Sequence, residues 1–331
     1  MRKSFERSVV MNPLSYSRLK PAAEDALKWA SYPPRRLVLI HTGVTIAVGL
    51  LLSILTYLLD LGIAQTGGLG GIETRTTLES LQSILTLVSV VALPFWEIGY
   101  LAAVLGFARR TAPDAGTLLG GFRHFGPVLR GMVLKGILAF VVMFVAVQVL
   151  ATIYMFTPAA GPLYAFTMEQ AEMGIVDPMV LMENEEYMAL MMDAVPPVLI
   201  GVLILELPLL YFLRFTDYVL MDRPERGALF AIFTSFRLTW QNFKSVLKLD
   251  LRFWWYYALE LLVVVLSYGH MILDIAGIDI GIGGDTAVFV FYIVSLTAQL
   301  GLYVWMKNSI FTTYALAYDT MMQPPAAELE N

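Results

Sequence analysis

Cysteine is absent from this chain of 331 residues. Its absence removes disulfides, thiolate metal sites and cysteine nucleophiles together, and leaves the redox compartment open. Histidine is scarce, with three residues, and only 15% of the chain is charged while 58% is hydrophobic. Soluble globular proteins carry about 25% charged residues, so an ordinary soluble domain is excluded. Catalytic signatures are missing too. There is no H-E-x-x-H, no G-x-x-x-x-G-K-[ST] and no G-x-S-x-G, and the glycines at Gly67 to Gly71 and Gly281 to Gly284 lack the strand-to-helix setting of a nucleotide loop. The net charge of -5 gives no argument for a nucleic-acid partner.

What the chain does have is apolar length. A spanning helix needs about 20 mostly apolar residues, and six segments meet that requirement: Leu37 to Leu61, Leu81 to Phe107, Met132 to Phe156, Pro197 to Met221, Phe253 to Leu273, and Ala287 to Met306. None alternates polar and apolar residues as a barrel strand does, so each is read as a helix satisfying its own backbone. The first stretch is too long for a signal-peptide core and is read as a retained span. Of the 22 lysines and arginines, all but Arg75 fall on one side of this threading. That side is the cytoplasm, because Lys and Arg near span ends resist translocation. The fold class expected is therefore all-α: a polytopic helical membrane protein, one integral domain over residues 1–331, with both termini inside.

The connections differ in kind. Residues 1–36 form a basic N-terminal segment whose Tyr16 to Ala30 carries Leu19, Ala23, Ala26 and Ala30 at helical spacing. Residues 108–131 place Leu118, Phe122, Phe125 and Leu129 on one face, and residues 222–252 do the same with Leu229, Phe233, Phe236, Trp240, Phe243 and Leu247. Both stripes are predicted to lie along the inner leaflet. With an offset of 111 residues, Pro113 falls on Pro224, Asp114 on Glu225, Gly116 on Gly227, Leu118 on Leu229, Phe122 on Phe233 and Phe125 on Phe236. The repeating unit is amphipathic helix, span out, span back. Outside, residues 157–196 form an acidic, methionine-rich loop with no base from Pro158 to Pro196. Its thioethers fit copper(I), an adaptable lid, or simple packing. Residues 307–331 are expected to be a cytoplasmic tail.

Charged side chains inside spans are the strongest pointers to function, because an acid or base at a helix centre costs about 2.5 to 3.5 kcal/mol on insertion scales. Glu97, Glu206 and Glu260 meet that description, and Gln299 holds the comparable place in the sixth span. Glu97-Ile98-Gly99 resembles Gln299-Leu300-Gly301, which would turn one polar residue per returning span toward a shared interior. These groups are either hydrogen-bonded between helices or line a path for a proton, cation or solute. Arg214 and Asp217, three apart near the inner end of the fourth span, either pair on one helix face or snorkel and orient the span, and Lys135 and Lys307 at inner span ends read as snorkelling too. His41, His124 and His270 fall at different depths, so neither a shared metal site nor any cofactor is expected.

Several segments resemble a known family. Tyr16-Ser17-Arg18-Leu19-Lys20 with Ala26-Leu27-Lys28, Gly121-Phe122-Arg123-His124-Phe125-Gly126, the stretch from Asp217 through Arg237 to Asp250, and Phe311-Thr312-Thr313-Tyr314-Ala315-Leu316-Ala317-Tyr318-Asp319 look like bacterial membrane proteins grouped as domain of unknown function 975. The resemblance covers nearly the whole chain and implies a six-span protein of the bacterial cytoplasmic membrane, with no established activity and no catalytic residues to carry over. The function expected is non-catalytic, organising inner-leaflet lipids, a protein partner or copies of itself. The alternative is a transporter using the mid-membrane carboxylates. An intramembrane enzyme comes third.

Overall fold

The computed structural model describes residues 14–65, 72–173, 184–275 and 284–323. Gly67 to Gly71, Gly281 to Gly283 and residues 174–183 of the methionine-rich segment lie outside those residues. Every regular element among the described residues is a helix. In chain order these are α1 (Tyr16–Lys28), α2 (Pro34–Gln65), α3 (Ile72–Ala108), α4 (Gly120–Arg123), α5 (Phe125–Met155), α6 (Gly161–Glu172), α7 (Glu185–Phe212), α8 (Thr216–Asp222), α9 (Gly227–Gln241), α10 (Phe243–Arg252), α11 (Trp254–Ser267), α12 (Gly269–Ile275), α13 (Gly284–Leu302) and α14 (Asn308–Met322). A π-helical turn at Tyr303–Lys307 joins the last two.

Five helical stretches are long and apolar enough to cross a membrane: Pro34–Ile63, Thr74–Ala108, Phe125–Met155, Glu185–Asp222 and Thr286–Met322. They pack in succession, α2 on α3, α5 on α7, and α11 on α13. Much of their surface stays apolar and uncovered, as at Phe140, Phe144, Leu203, Ile204 and Leu207. Such a surface suits hydrocarbon and would aggregate in water. The close-packed core lies at one end, where Leu37, Tyr100, Val104, Phe107, Phe215, Leu220, Ile310 and Tyr318 meet.

Several expectations are corrected here. The segment Phe253 to Leu273 is divided at Tyr268 into α11, of 14 residues, and α12, of 7. At about 1.5 Å per residue α11 is shorter than the hydrocarbon core. The break follows a weak helix-forming Ser-Tyr-Gly sequence, and Gly269 is pressed against the Phe291 ring. Residues 308–322 are no tail. They form α14, which buries Ile310, Thr312, Thr313, Ala315 and Tyr318 against α1 and α3. The α1 stripe also faces protein, since Leu19, Ala23 and Ala26 are buried.

The stripe Leu118, Phe122, Phe125, Leu129 does not lie on one helix. Asp114 caps a short 3-10 turn at Ala115–Leu119, with its carboxylate accepting from the Thr117 N–H at 3.0 Å. Then α4 stops at Arg123, and α5 begins at Phe125, seven residues before the predicted span. The reason is a backbone crossing: Gly99 lies against the Leu118 carbonyl and Gly121 against the Phe95 carbonyl. Leu118 is thereby buried, while Phe122 and Phe125 remain exposed. The later stripe survives better. Leu229, Phe233, Phe236 and Trp240 all stay exposed along α9, and Asn242 ends that helix before Phe243 and Leu247 continue the exposed row on α10.

Candidate functional site

The polar groups meet where α2, α3, α11 and the π turn converge. Lys307 closes that turn, in which one extra residue widens the helix and re-aims the side chain. Its Nζ lies 3.1 Å from Glu97 Oε1 and 4.7 Å from the ring centroids of Tyr100 and Tyr303. The Lys307 side chain is 6% exposed, whereas that of Glu97 is 42% exposed. On the other side of Glu97, His41 Nε2 stands 3.1 Å from Oε2. The His41 ring stacks on Trp96 at 5.7 Å, and the Trp96 indole N–H donates to the His41 carbonyl at 3.0 Å. His41 is 2% exposed, and its Nδ1 has no hydrogen-bond partner.

His41, Glu97 and Lys307 border a cavity of about 220 Å³, together with Thr42, Thr45, Glu260, Gln299, Tyr303 and Phe311. Glu260 accepts the Tyr256 hydroxyl at 2.7 Å, and the Gln299 amide donates to the Tyr303 hydroxyl at 3.2 Å. Tyr100 and Asn308 brace the floor. The tyrosine hydroxyl donates to Asn308 Oδ1 at 2.9 Å, and the Asn308 amide donates to the Pro34 carbonyl at 2.7 Å.

Three of the four expected polar residues, Glu97, Glu260 and Gln299, therefore come together. Glu206 does not. It sits on α7, paired with α5, and has no hydrogen bond or ion pair among the described residues. His41 and Lys307 were missed as members. The available signal was His41 with Thr42 and Thr45, a polar trio close together in a mostly apolar span.

The Arg214 and Asp217 pair is also corrected. The chain turns at residues 213–215 between α7 and α8, so the two residues do not share one helix. Arg214 instead reaches Asp250 at 2.6 Å and lies 4.6 Å from the Tyr314 ring, while Asp217 takes Lys135 at 2.6 Å. Lys135 therefore pairs rather than snorkels. Arg109 binds Asp222 at 2.5 Å and Asp319 at 2.7 Å, and the Asp319 hydrogen bonds, followed by those of Asp222, push its pKa further up. These pairs join α8, α10 and α14 to the spans. Among the described residues of 157–196, Leu163 and Phe166 are buried, while Met168, Met173, Met188 and Met192 lie exposed, so packing there falls to the former. No three His, Asp or Glu side chains converge as a metal site among the described residues.

The fold defines a class: an all-helical chain whose five long apolar helices point to a membrane protein. No protein-family model matches it, and no curated protein or solved structure matches it significantly.

Proposed function

We propose that this chain is a six-span protein of the bacterial cytoplasmic membrane, with both termini inside, that organises inner-leaflet lipid without catalysing a reaction. The resemblance to domain of unknown function 975 agrees with that reading, as does the one-sided placement of basic residues. The sixth span is the kinked run of α11 and α12. One observation carries the lipid assignment. A cleft of about 550 Å³ between α5 and the start of α9 is lined by Leu129, Val133, Leu134 and Leu229 and rimmed by Arg130 and Arg226. Both arginines are exposed, and neither has an acidic partner among the described residues. Basic residues over an apolar slot between helices complement an anionic phospholipid, whose headgroup meets the guanidinium groups while its chains follow the slot.

The test is lipid retention by the purified protein in native mass spectrometry. Phosphatidylglycerol should be held over phosphatidylcholine, and the double variant R130Q/R226Q should hold it about 30-fold less, at about 1 kcal/mol per basic residue. Equal retention by both proteins would remove the lipid reading from this cleft. Orientation is tested separately in the cysteine-free background. Ala159→Cys and Lys244→Cys, both exposed, should label with impermeant reagents only from outside and only from inside, respectively. Swapped labelling would invert every statement about sides.

A second reading, a permease for a small polar solute, is favoured by the cavity at Glu97. Uptake into proteoliposomes that is lost in E97Q would support it over the first.

A further inference from the structure

We infer that the cavity beside Glu97 is a binding site for a primary ammonium group. The inference concerns occupancy of the cavity named in the second reading, and does not require that the ligand be translocated.

Charge is the first argument. Lys307 neutralises Glu97 across 3.1 Å, and His41 adds a charge only when protonated. Glu260 forms no ion pair among the described residues, and its contacts are tyrosine hydroxyls: that of Tyr256, which donates at 2.7 Å, and that of Tyr303. The cavity thus carries one carboxylate in excess, in surroundings where an uncompensated charge is costly. A bound cation would compensate it.

Donor geometry is the second argument, because it selects the kind of cation. An ammonium offers three N–H donors and needs acceptors. Glu260 is one, since a carboxylate has about four lone-pair sites and two tyrosine hydroxyls leave some of them open. Gln299 is another, since its amide is spent on the Tyr303 hydroxyl at 3.2 Å and its carbonyl oxygen is left over. A quaternary ammonium, having no N–H, would leave these acceptors unmet. A divalent metal is disfavoured, because His41, Glu97 and Glu260 do not converge as ligands. Size is the third argument. A water takes about 30 Å³ in the liquid, so about 220 Å³ exceeds a bare ion and accommodates a small amine. His41, 2% exposed with Nδ1 unpartnered, shows that this wall holds polar capacity that the protein itself does not use.

The ammonium could belong to a free amine or to a phosphatidylethanolamine headgroup, and the two arms of the test separate them. The full-length protein in phosphatidylcholine nanodiscs is titrated with ethanolamine by calorimetry, and the same protein is scored for retained phosphatidylethanolamine against phosphatidylcholine by native mass spectrometry. Binding in one arm at least is expected, with choline failing to compete. Glu260→Gln should weaken that binding at least about tenfold, the loss of a charge-assisted hydrogen bond, while keeping an acceptor for Tyr256 and an unchanged thermal unfolding profile. Glu206→Gln, outside the cavity, should bind as the parent does. Binding absent from both arms, choline binding equally well, or E260Q binding like the parent would each overturn the inference. Retained ethanolamine binding without amine uptake would leave it standing and sink only the permease reading.

Discussion

Replacing Lys307 by methionine is expected to destabilise the protein by about 3 kcal/mol in detergent, the largest effect of any single change at the cavity. Lys307 is buried, and its ammonium is held by Glu97 at 3.1 Å and by the faces of Tyr100 and Tyr303 at 4.7 Å. Breaking a buried ion pair by deleting one partner costs about 3 to 5 kcal/mol, because the other charge is stranded. Two adjustments apply. Glu97 is 42% open toward the cavity, so part of its stranded charge is relieved by solvent or protonation, which lowers the figure. The lost cation–π contacts, about 0.5 to 1 kcal/mol each, raise it again. The double variant E97Q/K307M should recover at least half the loss, since neither member of the pair then leaves its partner's charge stranded. Thermal unfolding of the four proteins gives the coupling directly. A loss below about 0.5 kcal/mol in K307M would show that Lys307 reaches water and that the cavity lacks its ion pair.

Lys307 also shows what could and could not be read from the chain. Glu97, Glu260 and Gln299 stood out because polar groups in apolar runs are costly and therefore placed with a purpose. Lys307 did not, because a lysine at a span end snorkels by default, and only the π turn at Tyr303–Lys307 directs it inward. Glu206 is expected to face the same interior as Glu97 because both stand at mid-depth on returning spans. Depth follows from position along a span, but the helix pair to which the span belongs does not, and α7 pairs with α5 away from the cavity. Arg214 and Asp217 were paired on the assumption of an unbroken helix, which the turn at residues 213–215 removes. Helix α14 follows the last apolar run and is expected as a tail, although it carries Thr312, Thr313 and Tyr318. They are buried, with the Thr313 hydroxyl bonded to the Ser309 carbonyl and that of Tyr318 to Asp222. The five long helices were legible throughout, since apolar length needs no knowledge of neighbours.

The second large effect is expected at the backbone crossing. A Cβ at Gly99 would overlap the carbonyl of Leu118, and one at Gly121 would overlap the carbonyl of Phe95. Both obstacles are main chain, so no rotamer change relieves them, and the start of α4 must lift away from α3. Gly99→Ala and Gly121→Ala should each lose about 3 kcal/mol, the upper end of overpacking costs. Together they should lose less than the sum, because either one opens the same crossing. Gly301 supplies the control. It occupies the matching place in Gln299-Leu300-Gly301, yet no heavy atom lies within 4 Å of its added Cβ. Gly301→Ala should therefore leave stability unchanged or raise it by up to about 1 kcal/mol through helix propensity. Thermal unfolding and folded yield of the four variants measure the contrast. If Gly99→Ala proves as harmless as Gly301→Ala, the crossing does not form. Leu118 and Phe122 would then be free to continue α5 backward as one amphipathic helix, and the two halves of the motif would be equivalent after all. A large difference instead means that the two returning helices, similar in sequence at this point, differ in what they carry: one is clamped to the next segment by its glycine, the other borders the cavity with its glutamine.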